Sequence, residues 1–263
     1  MLVKGRRRAD SPMPATESEA IVLRGFPLGE GDLLVSFFSR TQGRLRGVAA
    51  RARRPKSRFG ASLEPLSYIR IWFYERETRE LVRINQCELI ESFLDVQRDY
   101  AAGLALALAS EVTEAVLAER EAADANFRLL LLTARAVKAQ TRTQLVLAYF
   151  ALWTVRLGGW LPQLDRCGRC GAELSGAAYL SPAQGLVCGA CRLPGQGVIS
   201  PGALQLARRI TTEKLERLAA EAAPANAQVE TEVMDFMLDV IEHHIEKRLK
   251  TRKMLEGNPE PRP

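Results

Sequence analysis

The chain has 263 residues, and its 47% hydrophobic fraction is that of a globular protein with a well-buried core. Its 37 Lys and Arg against 31 Asp and Glu leave a net charge of +6, which suits polyanions or other acidic partners. The basic run from Lys4 to Arg8 has no apolar stretch behind it, and runs such as Ala101 to Ala109 are too short to span a bilayer. A targeting or membrane segment is therefore not expected. Five cysteines, four of them in two CxxC pairs, fit a reducing cytoplasm better than a secreted disulfide scaffold.

In chain order, residues 1–17 are polar and interrupted by proline, so they read as a disordered leader, with Met13 an alternative start. Residues 18–90 carry five short β-like runs: AIVLRGF, DLLVSFFS, GRLRGVAA, LSYIRIWFY and ELVRINQCEL. Five strands in so short a span predict a small barrel. In Tyr68 to Tyr74, Ile69, Ile71 and Phe73 alternate with Tyr68, Arg70, Trp72 and Tyr74, so one face is core and the other wet.

After Ser92 the period becomes helical. Tyr100, Leu104, Leu108, Val112 and Val116 form one stripe, and Phe127, Leu130, Leu131, Ala134 and Val137 a second. A third helix is expected from Thr143 to Leu157, stopped by Gly158 and Gly159, which completes a first helical part over 91–160. A glycine-rich cysteine module occupies 161–199. Ser200 and Pro201 then open a second helical part over 200–255, whose last helix is expected as one piece from about Gln228 to Leu255, before a disordered tail at 256–263.

The cysteine spacing is Cys167-x2-Cys170, seventeen residues, then Cys188-x2-Cys191, which is that of a four-cysteine tetrahedral zinc site. Each CxxC turn aims two thiolates at one ion, and Gly168, Gly171 and Gly189 suit the tight turns. Arg166 and Arg169 offset part of the charge of four thiolates. A pair of redox CxxC motifs is the competing reading, but neither pair opens a helix after a strand. Four cysteines fill the coordination shell, so the ion's role would be folding rather than catalysis.

From Leu33 to Leu63 there is no Asp or Glu, while Arg40, Arg44, Arg46, Arg51, Arg53, Arg54, Lys56 and Arg58 are all present. Such cations can neutralise phosphates with counterion release, and Phe59, Trp72 and Tyr74 nearby could supply stacking rings. The bland alternatives are a solubilising surface for the cations and packing for the rings; Phe37, Phe38 and Phe73 read as core. His243 and His244 are adjacent on a helix and point about 100° apart, so they do not form a two-histidine metal site. No GxxxxGK[ST] or GxSxG occurs, GEGD at Gly29 to Asp32 is too acidic to cradle phosphate, and Cys87 stands alone in a β-like run. The expectation is a protein that is not an enzyme.

Three stretches together carry a family likeness: EAIVLRGFPLGEGDLLVSFFSRTQGRLRGVAARARR at Glu19 to Arg54, the paired CxxC motifs, and HHIEKRLKTRKML at His243 to Leu255. The chain resembles the RecO family of bacterial recombination mediators from about Ser18 to Leu255. That resemblance implies an α+β architecture, with an N-terminal OB-fold β-barrel and an α-helical domain carrying the inserted zinc module. It also implies binding of single- and double-stranded DNA, annealing of complementary strands, and action with RecR to load RecA on strands covered by single-strand-binding protein.

Carried onto this sequence, the resemblance puts the DNA face at Arg44 and Arg46 on the third strand and at Arg51, Arg53, Arg54, Lys56 and Arg58 in the loop after it. The acidic, apolar-ended tail of single-strand-binding protein would suit a cationic-rimmed apolar groove in the helical domain, where Arg128, Arg135 and Lys138 lie near the Phe127 stripe. Two rival readings are a zinc-ribbon transcription or adaptor protein, and a metal-dependent nuclease.

Overall fold

The computed structural model describes residues 15–75, 80–181, 184–221 and 227–256. Most of the expected leader and nearly all of the expected tail lie outside these residues. The chain divides into two compact units, one made of residues up to Ser92 together with Ala118–Ala123, the other of Phe93–Leu117 and the residues from Asp124 onward.

The first unit is built from β1 (Thr16–Leu28), β2 (Asp32–Ser39), β3 (Gly43–Ala49), β4 (Tyr68–Tyr74) and β5 (Val82–Glu91). They close into a barrel in the order β1-β2-β3-β5-β4, with β3 and β5 parallel and the other pairs antiparallel. This is the OB type of arrangement. Closure depends on β1, which pairs with β4 through Thr16–Ile21 and with β2 through Ala20–Leu28. An irregularity between Val22 and Arg24 lets one strand serve both partners, since a bulge bends a strand and adds twist. Inside, Val22, Val35, Phe37, Leu45, Ile69, Ile71, Phe73 and Ile84 form the core, with Phe37 and Phe73 edge to face at 5.7 Å.

The alternation expected for β4 is present, except that Tyr68 is also buried. Its hydroxyl is satisfied by Glu19, so burial leaves no polar group unpaired. Phe59 is 2% exposed and belongs to the barrel core, so it is not available to stack on a ligand. Cys87 is buried too, and burial pushes its thiol up to about 12, which keeps it protonated and inert.

The second unit contains α1 (Tyr100–Val116), α2 (Asp124–Lys138), α3 (Thr143–Leu157), a small sheet of β6 (Ala178–Ser181), β7 (Gly185–Cys188) and β8 (Val198–Ile199), then α4 (Pro201–Ile210), α5 (Leu215–Ala220), α6 (Ala227–His244) and α7 (Lys250–Glu256). α3 is buried continuously from Leu145 to Leu152 because it packs against α1, α2 and α6 at once. The single last helix expected from the sequence is two. Glu246 takes a left-handed φ of 52° and ends the helical run. The buried Glu242 then accepts the Leu249 amide at 2.7 Å, and Glu111 of α1 accepts the Lys250 and Thr251 amides, starting a new helix.

Candidate metal centre and nucleic-acid interface

In the cysteine module, Cys167 and Cys170 sit on a turn that follows α3, and Cys188 ends β7 three residues before Cys191. The strand pair β6 and β7 presents the second knuckle to the first. The Gly168 amide donates to Leu186 at 2.8 Å, and the Cys188 amide donates to the Cys167 sulfur at 3.3 Å. A Cβ at residue 168 would lie 1.9 Å from the Gln184 carbonyl oxygen, so only glycine lets the first knuckle approach the hairpin. The module is fastened to α4 by Arg208, which donates to the carbonyls of Leu164 at 2.7 Å and Leu174 at 2.8 Å.

The four sulfurs lie within 4.8 Å of one another, and Cys170 and Cys188 are 3.8 Å apart. With metal–sulfur bonds of about 2.3 Å, tetrahedral zinc would hold sulfurs about 3.8 Å from each other, so the donor set fits such an ion. The thiols do not share their protons evenly. For Cys167, burial is outweighed by backbone N–H donors, which bring the thiol down to about 6. The Cys170 sulfur, burial and the remaining thiols push Cys191 up to about 12. Thiolates are the form that binds a metal, so a cation held by these four sulfurs would displace their protons and its binding would weaken as pH falls.

The predicted DNA residues are on the barrel, but they are not equally free. Arg44 and Arg46 both reach Glu119, at 3.3 and 3.2 Å, in the Ala118–Ala123 segment that runs along β3. That segment comes close because residue 43 has no side chain: a Cβ there would be 1.9 Å from the Glu121 carbonyl oxygen. Arg40 is paired with Glu19 at 2.7 Å, which holds the Glu19 carboxyl below its usual range.

The loop after β3 is fixed to the β1–β2 hairpin. Asp32 accepts the Arg51 amide at 2.8 Å, and Gly31 accepts the Arg53 amide at 3.0 Å. The Arg53 guanidinium donates to the Gly29 carbonyl at 3.5 Å, and Arg58 lies over the Phe59 ring at 5.0 Å. GEGD therefore anchors the cationic loop. This role had a sequence signal, an Asp before a strand and opposite a long loop, but nothing local named the loop as its partner. Glu119 left no signal at all, because its pairing with β3 exists only after folding.

Arg128 pairs with Asp124 at 3.0 Å along α2, and the Lys138 ammonium lies 5.1 Å from the centre of the Phe93 ring. The neighbouring Phe127 is 1% exposed, so the apolar stripe beside Arg128, Arg135 and Lys138 is packed inside the helical unit. In the His243 to Leu255 stretch, Arg248 contacts Glu242 at 2.7 Å, and Arg252 reaches Asp239 at 2.7 Å and Glu242 at 3.1 Å. Those two arginines brace the junction of α6 and α7.

Comparison with known proteins covers nearly the whole chain. The family profile described as Recombination protein O N terminal matches residues 13–93, and that described as Recombination protein O C terminal matches residues 97–253. A protein of Koribacter versatilis named DNA repair protein RecO is 38% identical over 244 residues, covering 91% of this chain and 98% of the relative. One of the same name from Bifidobacterium adolescentis is 31% identical over 251 residues, covering 93% and 100%.

Proposed function

This chain belongs to the RecO family of DNA repair proteins, and from that premise we propose that it is a non-enzymatic recombination mediator. In this reading it binds single- and double-stranded DNA, anneals complementary strands and, with RecR, helps load RecA onto strands covered by single-strand-binding protein. The observation that carries the reading is the cationic loop Arg51, Arg53, Arg54, Lys56 and Arg58, tied by its backbone to the β1–β2 hairpin of a closed barrel. Cations on a preformed loop meet a phosphate backbone without first losing the entropy of ordering that loop.

Arg46 extends the same cationic surface by exchanging Glu119 for phosphate, because an ion pair open to water on both partners contributes at most about 1 kcal/mol, while the more buried Arg44 adds its charge from behind it. The four cysteines hold a structural zinc ion that supports the module's fold. Arg128, Arg135 and Lys138 are the proposed contact for the acidic tail of single-strand-binding protein. The setting is the bacterial cytoplasm, at the nucleoid when DNA is bound; among the described residues no helix is long and apolar enough to cross a membrane.

The test is binding of unrelated labelled single strands over a range of salt. Similar affinities for all sequences, falling steeply as salt rises, are expected. Sequence-selective binding that is insensitive to salt, or magnesium-dependent shortening of the strands, would overturn the reading. Co-purification with RecR from the same cell tests the partner assignment separately.

A further inference from the structure

On the barrel, the side chains of β1, β2 and β3 that alternate with the core form rows across the sheet. Arg24 pairs with Ser36 and Ser36 with Arg46; in the next row Phe26 pairs with Leu34 and Leu34 with Val48. Phe26 is 43% exposed, whereas Phe37, Phe38, Phe59 and Phe73 are buried. Part of the ring is thus open to water on the outer face of the barrel, where a ligand could reach it. The Arg24 guanidinium lies 5.6 Å from the ring centre, so ring and cation already form one cationic and aromatic surface.

Two rows of a strand are separated by roughly 7 Å, which sets the distance between the ring row and the arginine row. Beyond Phe26 lies the hairpin tip at Gly29–Asp32, to which the Arg51–Arg54 loop is bonded. The ring therefore stands between Arg24 and Arg46, the latter shared with Glu119, on one side, and on the other the cationic loop, whose Arg51 amide already occupies one oxygen of Asp32.

Among the described residues, the half-buried Trp72 on β4 has the opposite electrostatics. The Trp72 indole donates to Glu17 at 3.0 Å, Arg70 is paired with the same Glu17, and Glu88 is the strand neighbour of Arg70. A phosphate near Trp72 would face carboxylates.

We propose that Phe26 is the residue on which this protein stacks a base of single-stranded nucleic acid, with Arg24 and Arg46 receiving the neighbouring phosphate. The inference rests on the reading of the barrel as the nucleic-acid surface and adds a base-contacting residue to it. Stacking needs an unpaired base, so Phe26 acts on single strands and contributes little to a duplex.

The test uses the full chain and a fluorescein-labelled oligothymidylate, with a duplex of the same length as control. Phe26→Ala and Phe26→Leu should each weaken single-strand binding by roughly 5- to 150-fold, the range of one lost base stack. Duplex affinity and the slope of affinity with salt should be unchanged, and Phe26→Trp should restore binding. If the unsubstituted protein binds single strands and Phe26→Ala binds within about twofold of it, the proposal is wrong while the barrel reading stands. Full affinity in Phe26→Leu would also overturn it, since apolar bulk without a ring would then suffice, as for a protein partner. If the unsubstituted protein binds no single strand, the barrel reading falls and this proposal with it.

Discussion

The Glu111 carboxylate of α1 accepts the backbone amide of Thr251 at 2.8 Å, across 140 residues of sequence. Its other oxygen takes the Lys250 amide at 2.9 Å, so one buried side chain supplies the acceptors for the first turn of α7. Replacing Glu111 by Ala leaves two amides without acceptors, and urea denaturation should report a loss of about 1–3 kcal/mol. Glu111→Gln, which keeps one acceptor oxygen, should fall between. Faster amide exchange confined to α7 is the local signature.

Elemental analysis of reduced protein should find one zinc per chain, held by Cys167, Cys170, Cys188 and Cys191. Acidification should release it, because protons compete with the cation for sulfur. Cys188→Ser should lose the ion and raise amide exchange across residues 161–199 while DNA binding persists. Gly168→Ala should do the same without removing a ligand, since its Cβ collides with the Gln184 carbonyl. A Gly168→Ala protein that keeps its zinc would show that the knuckle does not need this close approach.

Changing Arg51, Arg53, Arg54 and Lys56 to Gln should weaken binding to all DNA sequences alike. Plotted against log salt, the single-strand affinity should lose about 0.7 of slope for each phosphate contact removed. Stability should change by no more than about 0.5 kcal/mol, because the amides of residues 51 and 53 keep their acceptors. Titration of labelled strands at several salt concentrations reads the slope directly.

Arg209 donates to Glu213 at 2.8 Å and to Glu221 at 2.6 Å. Both carboxyls are held below their usual range, with the hydrogen bond to Arg209 as the main cause. A lowered folded value stabilises the protein above the unfolded carboxyl value of about 4.3, and that contribution disappears as pH falls through the folded value. Thermal unfolding of Arg209→Met should therefore show a smaller loss of stability below about pH 4.3 than the unsubstituted protein.

The sequence by itself determined those features whose cause is local. Period-two alternation laid out the five strands, the period near 3.6 gave α1, α2 and α3, and the cysteine spacing marked the four sulfurs that fold into one cluster, because each depends on residues close together in the chain. Tertiary structure alone decided which charges are paired and which rings are exposed. Phe59 and Phe26 are both phenylalanines beside arginines, yet closure of the barrel buries one and leaves the other in water. Arg44 and Arg46 meet Glu119 only because Gly43 lets a distant segment approach, and the last helix breaks only because Glu111 and Glu242 supply acceptors for a new start. Hydrophobic patterning records which face of an element turns inward, but the partners of polar groups are set by contacts between elements that folding brings together.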